Sequence, residues 1–233
     1  DAQFHEIQKI WSPSFMSSAY FGYELDTYGD KCAIVGKEPH VVEVRKLVGD
    51  KWEYLQTFYD SDISTVNSVC MNGEFIAYGK PNQDSDGIPT KFDQGSVYIY
   101  RWDGNKYNFF QRIISPMDGN SDFFGNYLQM QGNRILIGIK NGSTVGVTYT
   151  FNGINFVLEQ YIVTEYNNTY VQYELDSNFI FLGLPYHAVA GSSEKGIVEV
   201  KELIGGVWTN DGYLTASDGA AYDRFGMSLD FAD

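Results

Sequence analysis

Phe124-Gly125, with the apolar run Ile135-Leu136-Ile137-Gly138 behind it, decides how this chain folds, because both features recur along it. Phe-Gly stands also at Phe21-Gly22 and Phe225-Gly226, at intervals of 103 and 101 residues. Apolar runs closed by glycine subdivide those intervals. They read Cys32-Ala33-Ile34-Val35-Gly36, Phe75-Ile76-Ala77-Tyr78-Gly79 and Phe179-Ile180-Phe181-Leu182-Gly183, besides the run at Ile135. Successive glycines of these runs lie 43, 59 and 45 residues apart. The repeating unit is therefore about 50 residues, the size of one β-propeller blade.

Each unit holds four strand-like runs. The first leads from the Phe-Gly position, as in Phe21-Gly22-Tyr23-Glu24-Leu25. The second is the continuous apolar run, which suits a strand covered on both faces. The third alternates, in Val42-Glu43-Val44-Arg45, Val97-Tyr98-Ile99-Tyr100, Val147-Thr148-Tyr149-Thr150 and Val198-Glu199-Val200-Lys201, and period two predicts a more exposed strand. The fourth follows a turn such as Asp103-Gly104-Asn105 and reads Trp52-Glu53-Tyr54-Leu55-Gln56, Tyr107-Asn108-Phe109-Phe110-Gln111 and Phe156-Val157-Leu158-Glu159. The copy at Trp208 is degenerate. Trp52, Trp102 and Trp208 sit beside the hairpin turns, and their recurrence predicts packing between blades.

The fold class expected is thus all-β: a β-propeller of four-stranded antiparallel blades, four of them complete. The blades are expected at about 20–62, 63–120, 121–167 and 168–219 of a single propeller segment covering 1–233. Partial strands are expected in 1–19, where Phe4-His5-Glu6-Ile7-Gln8-Lys9-Ile10 matches a fourth strand, and in 220–233, where Phe225-Gly226-Met227-Ser228-Leu229 matches a first. That pattern reads as part of a longer propeller.

Composition narrows the partners. The 233 residues include 18 Tyr, 16 Phe and 24 Gly, with 43% hydrophobic residues, ample for packed β-structure. Thirty acidic against 16 basic residues give a formal charge of −14, which repels phosphate backbones and anionic lipid. Nucleic acid is excluded as a partner on that ground. No apolar run has the roughly 18 residues a spanning helix needs, so direct membrane insertion is not expected either.

Ala216-Ser217-Asp218-Gly219-Ala220-Ala221-Tyr222-Asp223-Arg224-Phe225-Gly226 resembles the inter-blade segment of FG-GAP repeat proteins, the group that includes the integrin α-subunit propeller. Asp118-Gly119-Asn120-Ser121-Asp122-Phe123-Phe124-Gly125 is a second copy. Gly79-Lys80-Pro81 and Gly183-Leu184-Pro185 resemble the "GAP" half of the name, while units two and four have lost Phe-Gly around Val66-Asn67 and Tyr170-Val171. The resemblance implies an extracellular or cell-surface propeller that mediates adhesion or assembly through protein partners, without catalysis. It leaves open a glycan- or calcium-dependent binding module, or a propeller joined to an enzyme elsewhere.

The candidate sites are few. Family calcium loops carry alternating carboxylates between the first and second strands, but here those turns are Tyr28-Gly29-Asp30, Met71-Asn72-Gly73-Glu74, Gln131-Gly132-Asn133 and Asp176-Ser177-Asn178. Asn82, Asp84 and Asp86 have calcium-loop spacing in a different connection, with Thr90 where a carboxylate is preferred. Turn-forming chemistry accounts for that loop equally simply and is the preferred reading, with calcium as the alternative. No other cofactor is expected, and no catalytic motif is present. Asn141 and Asn167 open glycosylation sequons. His5, His40 and His187 share no spacing, and Cys32 and Cys70 can either pair or stay reduced.

Overall fold

A computed structural model describes residues 7–11, 20–37, 40–59, 66–84, 92–166, 170–189, 191 and 193–230. Two compact units divide the chain, Asp1–Leu128 and Gln129–Asp233. Among the described residues every regular element is a strand.

The first unit carries two four-stranded antiparallel sheets, each a meander in sequence order. One comprises β1 (Glu24–Tyr28), β2 (Lys31–Lys37), β3 (His40–Val48) and β4 (Lys51–Tyr59). The other comprises β5 (Ser68–Met71), β6 (Phe75–Lys80), β7 (Ser96–Trp102) and β8 (Tyr107–Ile114). The second unit repeats the arrangement. Its sheets are β9 (Leu128–Gln131), β10 (Arg134–Asn141), β11 (Thr144–Phe151) and β12 (Phe156–Val163), then β13 (Gln172–Leu175), β14 (Phe179–Leu184), β15 (Ile197–Ile204) and β16 (Val207–Leu214). The expected blades are all present as four-stranded sheets.

The second strand of each blade is the core element. All of β6 is buried, as are the central residues of β2. In the first unit Ala33, Val35, Val42, Val44, Ile76 and Tyr78 form one apolar cluster with Phe58, Val69 and Tyr107. Each large aliphatic side chain so covered contributes roughly 1.5–3 kcal/mol.

The third strands depart from expectation. Their alternation does not mark exposure: β3 begins iBBBB in burial and β15 BBBBB. In β3 and β15 the acidic members of the alternation are buried too, and each is given a partner. Glu43 pairs with Arg45, and Glu199 pairs with Lys201 while accepting from Thr164 Oγ1 at 2.6 Å. A carboxylate covered on both sides persists there only because it is paired and hydrogen-bonded.

A shared device joins neighbouring blades within each unit. In every blade the pairing of third and fourth strands slips by one residue, between Val44/Arg45, Ile99/Tyr100, Thr148/Tyr149 and Val200/Lys201. The residue just past the bulge is Gln56, Gln111, Gln160 or Gly212. The Gln56 amide donates to Tyr107 O and accepts from Tyr107 N, both at 2.8 Å. Gln160 does the same to Trp208, again with two bonds of 2.8 Å. A carboxamide thus imitates one strand residue and caps the start of the next blade's outer strand. The bulge re-aims that side chain toward its neighbour.

Gln8 repeats the contact on Trp52, donating at 3.0 Å and accepting at 2.7 Å. The segment read from sequence as a stray fourth strand therefore places its glutamine as a fourth strand would. Its described part, Ile7–Trp11, is not paired into a sheet, and neither is Phe225–Leu229. Trp102 does not share the place of Trp52 and Trp208. It ends β7 opposite Tyr107, whose ring it meets at 4.9 Å, and Tyr107 is the true counterpart.

Cys32 and Cys70 are both free and buried. Burial pushes both thiols up, Cys70 well above the usual range. Among the described residues no helix is long and apolar enough to cross a membrane.

Candidate functional site: two elbows built on Phe-Gly

The long connection between second and third strands occurs in alternate blades, at 81–95 and 185–196. In the other two blades that turn is short, from Lys37 to His40 and from Asn141 to Thr144. Each long loop is pinned by the Phe-Gly segment that follows its own blade, and the two pinned structures match bond for bond.

In the first unit Ser121 N donates to Phe92 O, Phe123 N to Asp93 O and Phe124 N to Gln94 O, at 2.9–3.0 Å. In the second unit Tyr222 N donates to Ser193 O, Arg224 N to Glu194 O and Phe225 N to Lys195 O, at 2.9–3.0 Å. The backbone conformations match as well. Ser121 (φ 58°), Phe123 (φ 49°) and Gly125 (φ 88°) correspond to Tyr222 (φ 69°), Arg224 (φ 54°) and Gly226 (φ 85°). A left-handed Phe, Tyr or Arg is uncommon and costs of order 1 kcal/mol or more, so surrounding bonds must hold it.

Glycine is needed where the two strands of backbone touch. A Cβ on Gly95 would lie 2.1 Å from Phe124 O, and one on Gly196 2.2 Å from Phe225 O. Gly79 and Gly183, the closing glycines of the apolar runs, meet Gly125 O and Gly226 O in the same way, at 1.9 and 2.1 Å. At these two places the Phe-Gly and Φ-Φ-Φ-Gly markers are the two halves of one contact, whereas a Cβ on Gly22 would meet nothing within 4 Å.

The calcium-loop residues lie in the first elbow. Asn82 Nδ2 donates to Asp93 Oδ1 at 3.2 Å, and Asp84 Oδ1 accepts from Asp93 N at 3.0 Å. Both side chains thus brace the loop base onto the residue that Phe123 holds. Asp86 lies outside the described residues. Among the described residues no group of three His, Cys, Asp or Glu side chains is placed to hold a metal.

Asn141 ends β10 at a two-residue hairpin, and Asn167 lies outside the described residues. His5 is likewise outside them. His40 opens β3, and His187 meets Tyr166 with ring centroids 4.3 Å apart while burial lowers its pKa.

The second elbow has a surface that sequence reading missed. Tyr186 stands where the first elbow has Asn82, one residue past the Gly-x-Pro turn. The Arg224 guanidinium lies 5.0 Å from its ring centroid and is ion-paired with Glu194 at 2.7 Å. Tyr170 meets Tyr186 edge to face at 5.8 Å. An aromatic directly after Gly183-Leu184-Pro185 was the available signal, visible only once the two elbows are aligned.

No family model matches the chain, and neither does any curated protein. Solved structures do match. A structure of a candidate 6-phosphogluconolactonase from Bacteroides uniformis is similar at a TM-score of 0.56 and 10% identity, over 82% of this chain and 56% of that one. The WD40 domain of coronin from Toxoplasma gondii is similar at a TM-score of 0.54 and 7% identity, over 82% of this chain and 44% of that one. The chain spans about half the length of these structures. At such identities the likeness carries the fold alone: this is a β-propeller fold, made of four-stranded blades.

Proposed function

We propose that the chain is a non-enzymatic propeller module of the FG-GAP kind, acting outside the cell or at its surface in protein–protein adhesion or assembly. The observation that supports this reading is the pair of elbows. Each holds a long loop by its base, with left-handed backbone and glycine contacts fixing the anchor, while the two loops, 81–95 and 185–196, differ from each other in length and sequence. A rigid scaffold presenting variable loops is how binding surfaces are built. The buried ionisable pairs support it from the other side. Glu43 with Arg45, and Glu199 with Lys201 and Thr164, have a structural account in their pairing.

The charge of −14 favours a partner with a basic face, whose association slows as salt rises. The test replaces residues 85–91 with a glycine-serine linker of equal length. Wild type and variant are compared for binding to secreted matrix proteins and surface-labelled cells at two salt concentrations. Binding lost in the variant at an unchanged melting temperature, and weakened by salt, is expected. Binding indifferent to the replacement, or substrate turnover by the purified chain, would overturn the reading.

A further inference from the structure

We infer that the second elbow carries a binding site for a neutral pyranose sugar, formed by Tyr170, Tyr186, Gln172, Glu194 and Arg224. The inference deepens the reading of the chain as a binding module, and it concerns the elbow that the loop replacement above leaves untouched.

Four observations carry it. First, the aromatic pair belongs to one elbow only. Gln172 pairs with Gly183 as Ser68 pairs with Gly79, so Tyr170 and Tyr186 take the places of Val66 and Asn82. Packing common to all blades therefore does not account for them. Val66 is 1% exposed, whereas Tyr170 is 41% exposed and Tyr186 38%.

Second, the rings are fixed. Tyr186 meets Tyr170 edge to face and the Arg224 guanidinium at 5.0 Å from its ring centroid, and Gln172 Nε2 donates to Tyr170 Oη at 2.5 Å. Arg224 itself is pinned through its backbone N, which donates to Glu194 O at 3.0 Å. A half-exposed ring that cannot rotate away offers a flat apolar platform at little entropic cost on binding. The C–H face of a pyranose ring is the ligand surface that fits such a platform.

Third, planar polar groups border the rings. Both contacts from Arg224 fall on Glu194 Oε2, at 2.7 and 2.8 Å. Among the described residues Oε1 has no partner, so it can accept from a sugar hydroxyl. A carboxylate, a guanidinium and a carboxamide beside an aromatic face supply the paired donors and acceptors that vicinal hydroxyls need.

Fourth, charge selects the class of sugar. A chain of formal charge −14 repels sialylated and sulfated glycans, which leaves neutral ones.

The test applies the purified chain to an array of β-galactosides, β-glucosides, mannosides and N-acetylglucosamine oligomers, with sialylated and sulfated counterparts. The best neutral hit is then titrated calorimetrically. Tyr170→Ala and Tyr186→Ala are expected to weaken that binding about tenfold. Tyr186→Phe and Tyr54→Ala, the latter removing an exposed tyrosine of β4, are expected to change it less than about twofold. If an alanine variant melts early, Gln172→Ala decides, since it keeps both rings and is expected to weaken binding several-fold. No binding to any neutral glycan, binding to acidic glycans alone, or binding indifferent to these changes would overturn the inference. Failure here leaves the protein-binding reading standing, because that reading depends on the loop tip of the first unit.

Discussion

The two elbows share a backbone and differ in what fills it. In the first unit the interior is polar. Lys80, Asp122 and Ser96 are all but fully buried, Asp122 accepts from Ser115 Oγ at 3.2 Å, and Gln94 reaches Met117 O and Gly119 O. In the second unit the places of Lys80 and Ser96 are taken by Leu184 and Ile197, also buried, and Asp223 has moved out to solvent. One fold of the chain tolerates a charged filling and an apolar one. The Phe-Gly contact, not the chemistry around it, defines the elbow. Chemistry is free to diverge, and it does so toward exposed tyrosines in the second unit.

The comparison breaks first at the glycines. Gly95→Ala and Gly196→Ala each force a methyl into a carbonyl 2.1–2.2 Å away at φ near +80°. Each is expected to cost about 4 kcal/mol in denaturant unfolding, with nearly equal losses in the two units. A large loss in one and none in the other would show that the elbows do not share a structural role.

The fillings should differ where the backbones agree. Lys80→Leu removes a fully buried cation from an elbow that also buries the Asp122 carboxylate, and should cost about 3 kcal/mol. Combining it with Asp122→Asn should cost less than the two changes added, by at least about 1 kcal/mol in a double-mutant cycle. Strict additivity would mean that the two charges are buried independently.

Much of this was legible in sequence, and the illegible part has a physical cause. Phe-Gly and Φ-Φ-Φ-Gly were readable because glycine is compulsory where Gly79 meets Gly125 and Gly183 meets Gly226. The interval of about 100 residues was read from Phe-Gly, but the elbow it marks was not, because the anchors of that elbow are left-handed Phe123, Tyr222 and Arg224, whose identities give no hint of that conformation. Alternation in the third strands misled for a related reason. Period two reports which face is polar, and in β3 and β15 the polar face is buried against a partner. The candidate calcium loop had the right spacing, yet spacing could not say that Asn82 and Asp84 bond to Asp93 across the loop base. The sugar platform needed alignment of the two elbows before Tyr186 stood out.

Between blades the glutamines offer a graded test. Gln56→Ala and Gln160→Ala each strip two bonds from a residue that is 2% and 4% exposed, Tyr107 and Trp208. Each should cost about 2 kcal/mol, the penalty for an unpaired buried donor and acceptor. Gln8→Ala should cost less than about 1 kcal/mol, because water reaches the freed groups of Trp52. Equal losses at all three positions would mean that burial does not set the worth of the clamp.

The first strands carry a second clamp in which the two units differ by one ionisable group. In the first unit Met71 N donates to the Asp26 carboxylate at 2.8 Å; in the second, Leu175 N donates to the Gln129 carboxamide at 2.5 Å, and that amide donates to Glu174. Burial pushes the Asp26 carboxyl up, and the N–H groups of Met71 and Thr27 recover only part of the shift. Folding therefore binds that proton more tightly than the open chain does. The stabilising contribution is complete below the unfolded value of about 3.9 and is lost as pH rises through the folded value. An ionised Asp26 is a charged group in a place that prefers a neutral one, as Gln129 is. Asp26→Asn should accordingly raise the melting temperature slightly at pH 7 and leave it unchanged near pH 3, whereas Gln129→Glu should do the reverse, because it sets a second carboxylate beside Glu174. Melting curves of both variants between pH 3 and 8 check this, and an Asp26→Asn effect that is independent of pH would show that the hydrogen bond to Met71, not the charge, is what the residue contributes.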